Sequence, residues 1–305
     1  IDKIYNEASQ VVSYAGGQRY PESTKAINSR MNRGSLIFTY AGHGGINGWS
    51  KARILELSDI TKWKNKYNQP LMINLTCSFG WIDKKAISPS ELIFINDQGG
   101  AAAMLTTTRA AYMGANYTFC TRMFNNSLTN SSNQPITIGE FNIAAKNSVG
   151  GALHGTNMYV LLGDPTMKLV LPQYEIATDS IIIDATHQPT DTIKALDKVI
   201  VKGRITDHDG STLTQFNGTL FPSVYDKKIN TVTLLNDPAS EDPPFEFELQ
   251  NNILFKGNVS VINGYFEFNF VVPKDINYAF GPGKISYYAR TSQSDAKGYT
   301  DQFYI

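Results

Sequence analysis

Two stretches decide the fold: Leu36-Ile-Phe-Thr-Tyr-Ala-Gly-His-Gly-Gly45 and Leu71-Met-Ile-Asn-Leu-Thr-Cys-Ser-Phe-Gly80. Each opens with a near-continuous apolar run, the pattern of a parallel strand covered on both faces. Each then ends in small or polar residues around one chemically active side chain, His43 in the first and Cys77 in the second. In an open α/β sheet, ligands and catalytic groups collect at the carboxyl ends of the strands. Two neighbouring strands of this kind would bring an imidazole and a thiol to the same rim.

Working outward, Ala101 to Thr107 reads as a third such strand. Helical segments are predicted at Pro21 to Met31, Ser58 to Tyr67, Pro89 to Asp97, Ala115 to Leu128 and Ile138 to Asn147, several of them with a Ser, Thr or Asn placed to cap them. Strands alternating with helices indicate a parallel sheet flanked by helices, so residues 1–172 are assigned to an α/β domain. After Pro172 the character changes. Lys198 to Ile205, Asn217 to Tyr225, Val259 to Val272 and Lys284 to Thr291 alternate in hydrophobicity and are separated by turns at Asp209-Gly210, Asn263-Gly264 and Gly281-Pro282-Gly283. Residues 173–305 therefore read as an all-β region, a β-sandwich of immunoglobulin-like character. Proline and acidic residues from Asp237 to Pro244 mark a loop within it.

The dyad reading has a physical basis. A free thiol is only a few per cent ionised near neutrality, and an adjacent imidazole takes its proton or stabilises the thiolate, which can then attack a carbonyl. Charge developing on the carbonyl oxygen needs fixed donors, and the backbone N–H groups of Gly44 and Cys77 are the candidates. The competing interpretation is a packed core cysteine and an unrelated loop histidine, which two matched strand ends argue against. A phosphate-loop reading of Gly42, Gly44 and Gly48 fails because the glycine spacing is wrong and no P-loop lysine follows.

His154 follows a predicted helix and loop rather than a strand, so a structural or rim role is expected of it. Asp207-His-Asp-Gly210 could suggest a metal loop, yet Asp-Gly is also an ordinary hairpin turn. Cys120 is expected to be a packed thiol within a helix. Met158 to Leu162 before Gly163-Asp-Pro-Thr166 reads as a segment ending in a helix stop, with Asp164 ordering the turn.

Lysine plus arginine number 27 and aspartate plus glutamate also 27, so no long-range field recommends nucleic acid as a partner. Two cysteines rule out a disulfide framework. No run approaches the ~18 apolar residues of a spanning helix. The abundance of Tyr and Phe, 16 of each, suits exposed β-structure and extracellular surfaces.

An apolar block before His-Gly, then an apolar block ending in Cys, resembles the caspase-like clan of cysteine peptidases, and the gingipain family fits best. Its landmarks are matched in order by Ala15-Gly-Gly-Gln-Arg-Tyr-Pro21, Tyr40-Ala-Gly-His-Gly-Gly45, Thr76-Cys-Ser-Phe-Gly80, Gly99-Gly-Ala-Ala-Ala103, Thr106-Thr-Thr-Arg109 and Leu161-Leu-Gly-Asp-Pro-Thr166. Phe255-Lys-Gly-Asn-Val-Ser-Val261 and Val271-Val-Pro-Lys-Asp-Ile276 are similar to its sortase branch in the type IX secretion system of Bacteroidetes. That resemblance implies a caspase-like fold and a cell-surface, outer-membrane-associated enzyme. Its expected work is to remove the C-terminal signal domain from secreted cargo and pass the acyl group to water or to an amine on anionic lipopolysaccharide. Implied partners are the cargo and other secretion subunits such as the outer-membrane shuttle PorV. No cofactor or metal is expected, apart from the structural calcium that the family allows. Because only 42 residues precede His43 and the chain opens at Ile1, the resemblance also predicts a fragment, with the acidic partner of His43 and the first strands of the sheet lying upstream.

Overall fold

The structure, a computed structural model, describes residues 2–126, 128–131, 134–149, 156–236 and 243–305. The chain divides into two compact units, one built on Ile4–Val170 and the other on Leu171–Thr233 with the chain from Asp242 onward. The stretch beginning at Leu234 belongs with the first unit. There the Leu234 N–H donates to Glu7 O (3.1 Å) and the Asn236 amide to Ser9 O (3.1 Å).

The first unit is a four-stranded sheet of β1 (Ile37–Ala41), β2 (Leu71–Leu75), β3 (Ala103–Thr107) and β4 (Tyr159–Leu162), side by side in chain order. The first three are parallel and β4 is antiparallel. Every residue of β2 and β3 is buried, and alternation splits them between two cores. Met72 and Met104 pack with Ile27 and Met31 of α1 (Pro21–Arg33), Ile93 of α2 (Pro89–Ile95), Trp49 and Phe79. Leu71, Ile73, Leu75, Ala103 and Leu105 face Phe119 and Met123 of α3 (Met113–Asn125) and Phe141 and Ala145 of α4 (Ile138–Val149). Full burial of each such side chain contributes roughly 1.5–3 kcal/mol, and helices on both faces explain the unbroken apolar runs. Helices α1, α2 and α4 start at the residues the sequence indicates, and α3 starts two residues ahead of the expected Ala115. Pro21 opens α1, and Ser88 with Glu91 closes a reciprocal capping box on α2.

Two expectations for this unit need correction. The helix predicted over Ser58 to Tyr67 is a single turn, Leu57–Ile60. Beyond it, tertiary hydrogen bonds take over: Trp63 Nε1 donates to Asn28 Oδ1 (2.6 Å), and the Lys64 N–H donates to Asn32 Oδ1 (2.8 Å). The Asn65 amide donates to Gly100 O (2.9 Å) and accepts from Gly100 N (2.8 Å). Second, the segment before Gly163 is strand β4 rather than a helix end, so the sheet carries an antiparallel edge. Its four apolar residues pair with β3 from Met104↔Leu162 to Thr107↔Tyr159, and a run that short carries no helical period. Asp164 does order the following turn, accepting from Thr166 N (2.8 Å) and Thr166 Oγ1 (2.7 Å).

The second unit is all β. Strands β5 (Tyr174–Ile183), β6 (Lys198–Thr206), β7 (Gly218–Tyr225), β8 (Ile253–Lys256), β9 (Val259–Val261), β10 (Tyr265–Val271), β11 (Lys284–Arg290) and β12 (Asp295–Thr300) make its main sheet. The hydrogen-bonded path runs β8-β7-β11-β12-β5-β6-β10, with β9 also on β7. The chain passes from β9 at one end of that path to β10 at the other through Ile262-Asn263-Gly264, so the two ends lie close and the sheet curls around one core. Asn263 (φ 51°) and Gly264 (φ 81°) are left-handed, the conformation the Asn-Gly turn anticipates. The expected strand Val259 to Val272 is thereby divided in two. These strands belong to one hydrogen-bonded path, in which β5 bonds antiparallel to β6 on one side and parallel to β12 on the other. Among the described residues no helix is long and apolar enough to cross a membrane.

Candidate active site

The parallel register of β1 and β2 ends at Ala41↔Leu75. His43 and Cys77 each lie two residues beyond that pair, so equal offsets on adjacent parallel strands, about 4.8 Å apart, carry both to one rim. The link persists past the ladder, where the Gly42 N–H donates to Leu75 O (3.3 Å). His43 is exposed and Cys77 half-buried.

The histidine loop is held from below. Tyr40 OH donates to His43 O (2.6 Å), and its ring stacks on Trp49 with centroids 4.1 Å apart. Burial raises the Tyr40 phenol well above its ordinary value, which keeps it a donor. Trp49, 1% exposed, tilts against Phe79 and donates from Nε1 to Asn74 Oδ1 (3.2 Å). The chain then turns back through Gly48, where a Cβ would sit 1.9 Å from Leu55 O at φ 120°, so only glycine fits.

Gly44 occupies a particular place in this hairpin. The Ser50 N–H donates to His43 O (2.7 Å), which marks 43 and 50 as a bonded pair of the antiparallel ladder. The next pair, Gly44↔Trp49, is then a non-bonded one, and its N–H points away from the hairpin. A Cβ at Gly44 would lie 2.6 Å from Thr76 Oγ1, so its backbone packs directly against the residue preceding Cys77.

The thiol loop is clamped from β3. Thr107 Oγ1 donates to Thr76 O, the Gly80 N–H donates to Thr107 O (2.8 Å), and the Ser78 N–H donates to Arg109 O (2.9 Å). Ser78 itself adopts φ 49°, a left-handed conformation costing on the order of 1–3 kcal/mol that its surroundings must hold. Cys77 Sγ lies against the Ala111 backbone, 3.3 Å from its oxygen and 3.4 Å from its nitrogen. Asn116 of α3 donates to Leu75 O (3.1 Å), and Tyr159 OH fixes that amide by donating to Asn116 Oδ1. On the rim, Arg109 makes a two-pronged pair with Asp83 (2.9 and 2.6 Å) and lies over the Trp81 ring, as does the Lys84 ammonium. The Arg109 hydrogen bond holds the Asp83 carboxyl below its ordinary value.

Cys120 is half-buried on α3, with burial raising its thiol. His154 lies outside the described residues. Asp207 Oδ1 spends itself on the N–H groups of Asp209 (3.0 Å) and Ser211 (2.9 Å), the pattern of a turn. Among the described residues no group of three or more His, Cys, Asp or Glu could hold a metal. Sequence reasoning missed Tyr40, Thr107 and Asn116. The run Thr106-Thr-Thr at the end of an apolar strand was the available signal for the second.

This arrangement defines a class, the cysteine peptidases whose histidine and thiol arrive on neighbouring parallel strands. The particular group is given by the family model of peptidase family C25, the gingipain family, which matches residues 1–170; the chain belongs to that family. Among solved structures it is similar to dimeric latent PorU from Porphyromonas gingivalis, at 24% identity over 68% of this chain and 20% of that one, with a TM-score of 0.38. It is also similar to the Porphyromonas gingivalis RgpB pro- and mature-domain complex, at 12% identity over 90% of this chain and 57% of that one, with a TM-score of 0.42. The Arg-specific gingipain R (RgpB) matches at 14% identity over 90% of this chain and 56% of that one, with a TM-score of 0.41. The chain thus spans about a fifth of the PorU chain and a little over half of the RgpB chains. No curated protein sequence matches it.

Proposed function

We propose that this chain carries the thiol and imidazole of a cysteine peptidase that works as a type IX secretion sortase. The observation that supports it most is the equal offset of His43 and Cys77 beyond the in-register pair Ala41↔Leu75. In the reaction His43 takes the Cys77 proton, the thiolate attacks the scissile carbonyl, and the Gly44 and Cys77 N–H groups meet the oxygen as it becomes negative. The imidazolium then protonates the leaving amine. The thioester passes to water or, in a transpeptidation, to an amine on anionic lipopolysaccharide.

The finer assignment rests on the landmarks in the all-β half, Phe255-Lys-Gly-Asn-Val-Ser-Val261 and Val271-Val-Pro-Lys-Asp-Ile276. With it go a caspase-like first unit, an immunoglobulin-like second one, a place on the outer face of the outer membrane, and cargo signal domains and PorV as partners. The test is processing of a cargo protein in the full-length enzyme. Cys77→Ala and His43→Ala should each abolish release of the signal domain while the protein still reaches the surface. Cleavage of arbitrary peptides with cargo left intact would instead indicate a general endopeptidase, and processing that survives Cys77→Ala would reduce the chain to a docking module.

A further inference from the structure

Thr107 sits at the end of β3, wholly buried, and grips the thiol loop at both ends: its hydroxyl donates to Thr76 O and its carbonyl accepts from Gly80 N (2.8 Å). The Thr76 carbonyl and the Cys77 N–H belong to the same peptide plane. Among the described residues there is no cis bond, so the two groups point in opposite directions across that plane. A donor that fixes where Thr76 O points therefore fixes where the Cys77 N–H points. The preceding peptide is fixed as well, since Leu75 O accepts from Gly42 N (3.3 Å) and Asn116 Nδ2 (3.1 Å). Two successive carbonyls leading into the nucleophile are thus each held by a named partner. The Gly44 backbone, its own N–H outside the hairpin ladder, abuts the side chain of the same Thr76.

From this geometry we infer that Thr107 is a positioning residue for acyl transfer: its hydroxyl aims the Cys77 N–H at the developing oxyanion without touching substrate. The inference rests on the dyad reading above and deepens it. Loss of the hydroxyl lets the Thr76–Cys77 peptide rotate, so the donor is misdirected while the thiol keeps its place beside Ala111. Chemistry that builds an oxyanion should suffer, and chemistry at the same sulfur that builds none should not.

Two small probes separate these cases in the full-length protein without any knowledge of the preferred substrate. p-Nitrophenyl acetate acylates the thiol through a tetrahedral oxyanion, whereas iodoacetamide alkylates it by displacement at saturated carbon. Thr107→Val, which keeps the volume and removes the donor, should slow acylation of Cys77 about tenfold or more, part of the 100- to 1,000-fold typical of losing an oxyanion donor outright. Alkylation should stay within about twofold, and Thr107→Ser should restore acylation. Equal losses with both probes, no loss with either, or no recovery with serine would overturn the inference while leaving the dyad intact. Acylation that persists in Cys77→Ala would overturn the dyad reading itself, and the inference with it.

Discussion

A Cβ added at Gly44 would lie 2.6 Å from Thr76 Oγ1 and 3.0 Å from Gly48 O. Neither neighbour can retreat easily, since Thr76 is wholly buried and the Gly48 oxygen is backbone. Gly44→Ala must therefore push its own N–H off line. The expected result is a fall of roughly 10- to 100-fold in acyl transfer, with an overpacking cost of about 1–3 kcal/mol seen in denaturant unfolding. Kinetics and unfolding of the same variant check both numbers. Unchanged acylation would remove Gly44 from the proposed oxyanion site. The strand ends that carry His43, Gly44 and Cys77 were legible in the sequence because each stands next to an apolar run whose end can be located. Thr107 was not, because its contact with Thr76 crosses the sheet between residues 31 apart, and no local pattern records a cross-strand hydrogen bond. Asn116, which reaches Leu75 across 41 residues, escaped for the same reason.

At the scale of elements, the three parallel strands were readable from their unbroken apolar runs, and α1, α2 and α4 from Pro21, the Ser88–Glu91 box and Ile138 onward. The segment after Leu57–Ile60 was not readable. Its helix-like pattern is overruled by Asn65, 2% exposed, whose side-chain amide replaces a missing secondary-structure partner for both polar groups of Gly100. Removing that amide leaves a buried N–H and a buried carbonyl unpaired, each costing about 1–3 kcal/mol. Asn65→Ala should accordingly lower stability by about 2–6 kcal/mol in urea unfolding, with part of the loss shared by Asn65→Asp through its missing donor. A loss below about 0.5 kcal/mol, the size expected of an ordinary surface substitution, would mean that the loop has other means of holding Gly100. In the all-β half the turns announced themselves, Asn263-Gly264 most clearly. The pairing of β5 on both of its edges did not, since alternation fixes which face of a strand is inward and says nothing of which neighbours it bonds.

Across the whole molecule, buried tyrosines are the groups whose titration should be felt in stability. Burial raises the phenols of Tyr40, Tyr159 and Tyr287 above the ordinary value. Tyr159 and Tyr287 are almost wholly enclosed, and each makes a hydrogen bond, to Asn116 and to Thr178. In the unfolded chain all three ionise near pH 10; in the folded protein they keep their protons to higher pH. Below about pH 10 both states are protonated and the full stability is present. Above it the unfolded state binds fewer protons, so stability falls as pH rises through the folded values, by about 1.4 kcal/mol per pH unit for each such tyrosine. Tyr40 and Tyr159 belong to the first unit and Tyr287 to the second, so both should weaken, the first more steeply. Native absorbance at 295 nm between pH 9 and 11.5 should show these three of the 16 tyrosines ionising only on unfolding. A single native titration near pH 10 that includes all 16 would contradict the burial that holds the histidine loop on Tyr40 and the nucleophile strand on Tyr159.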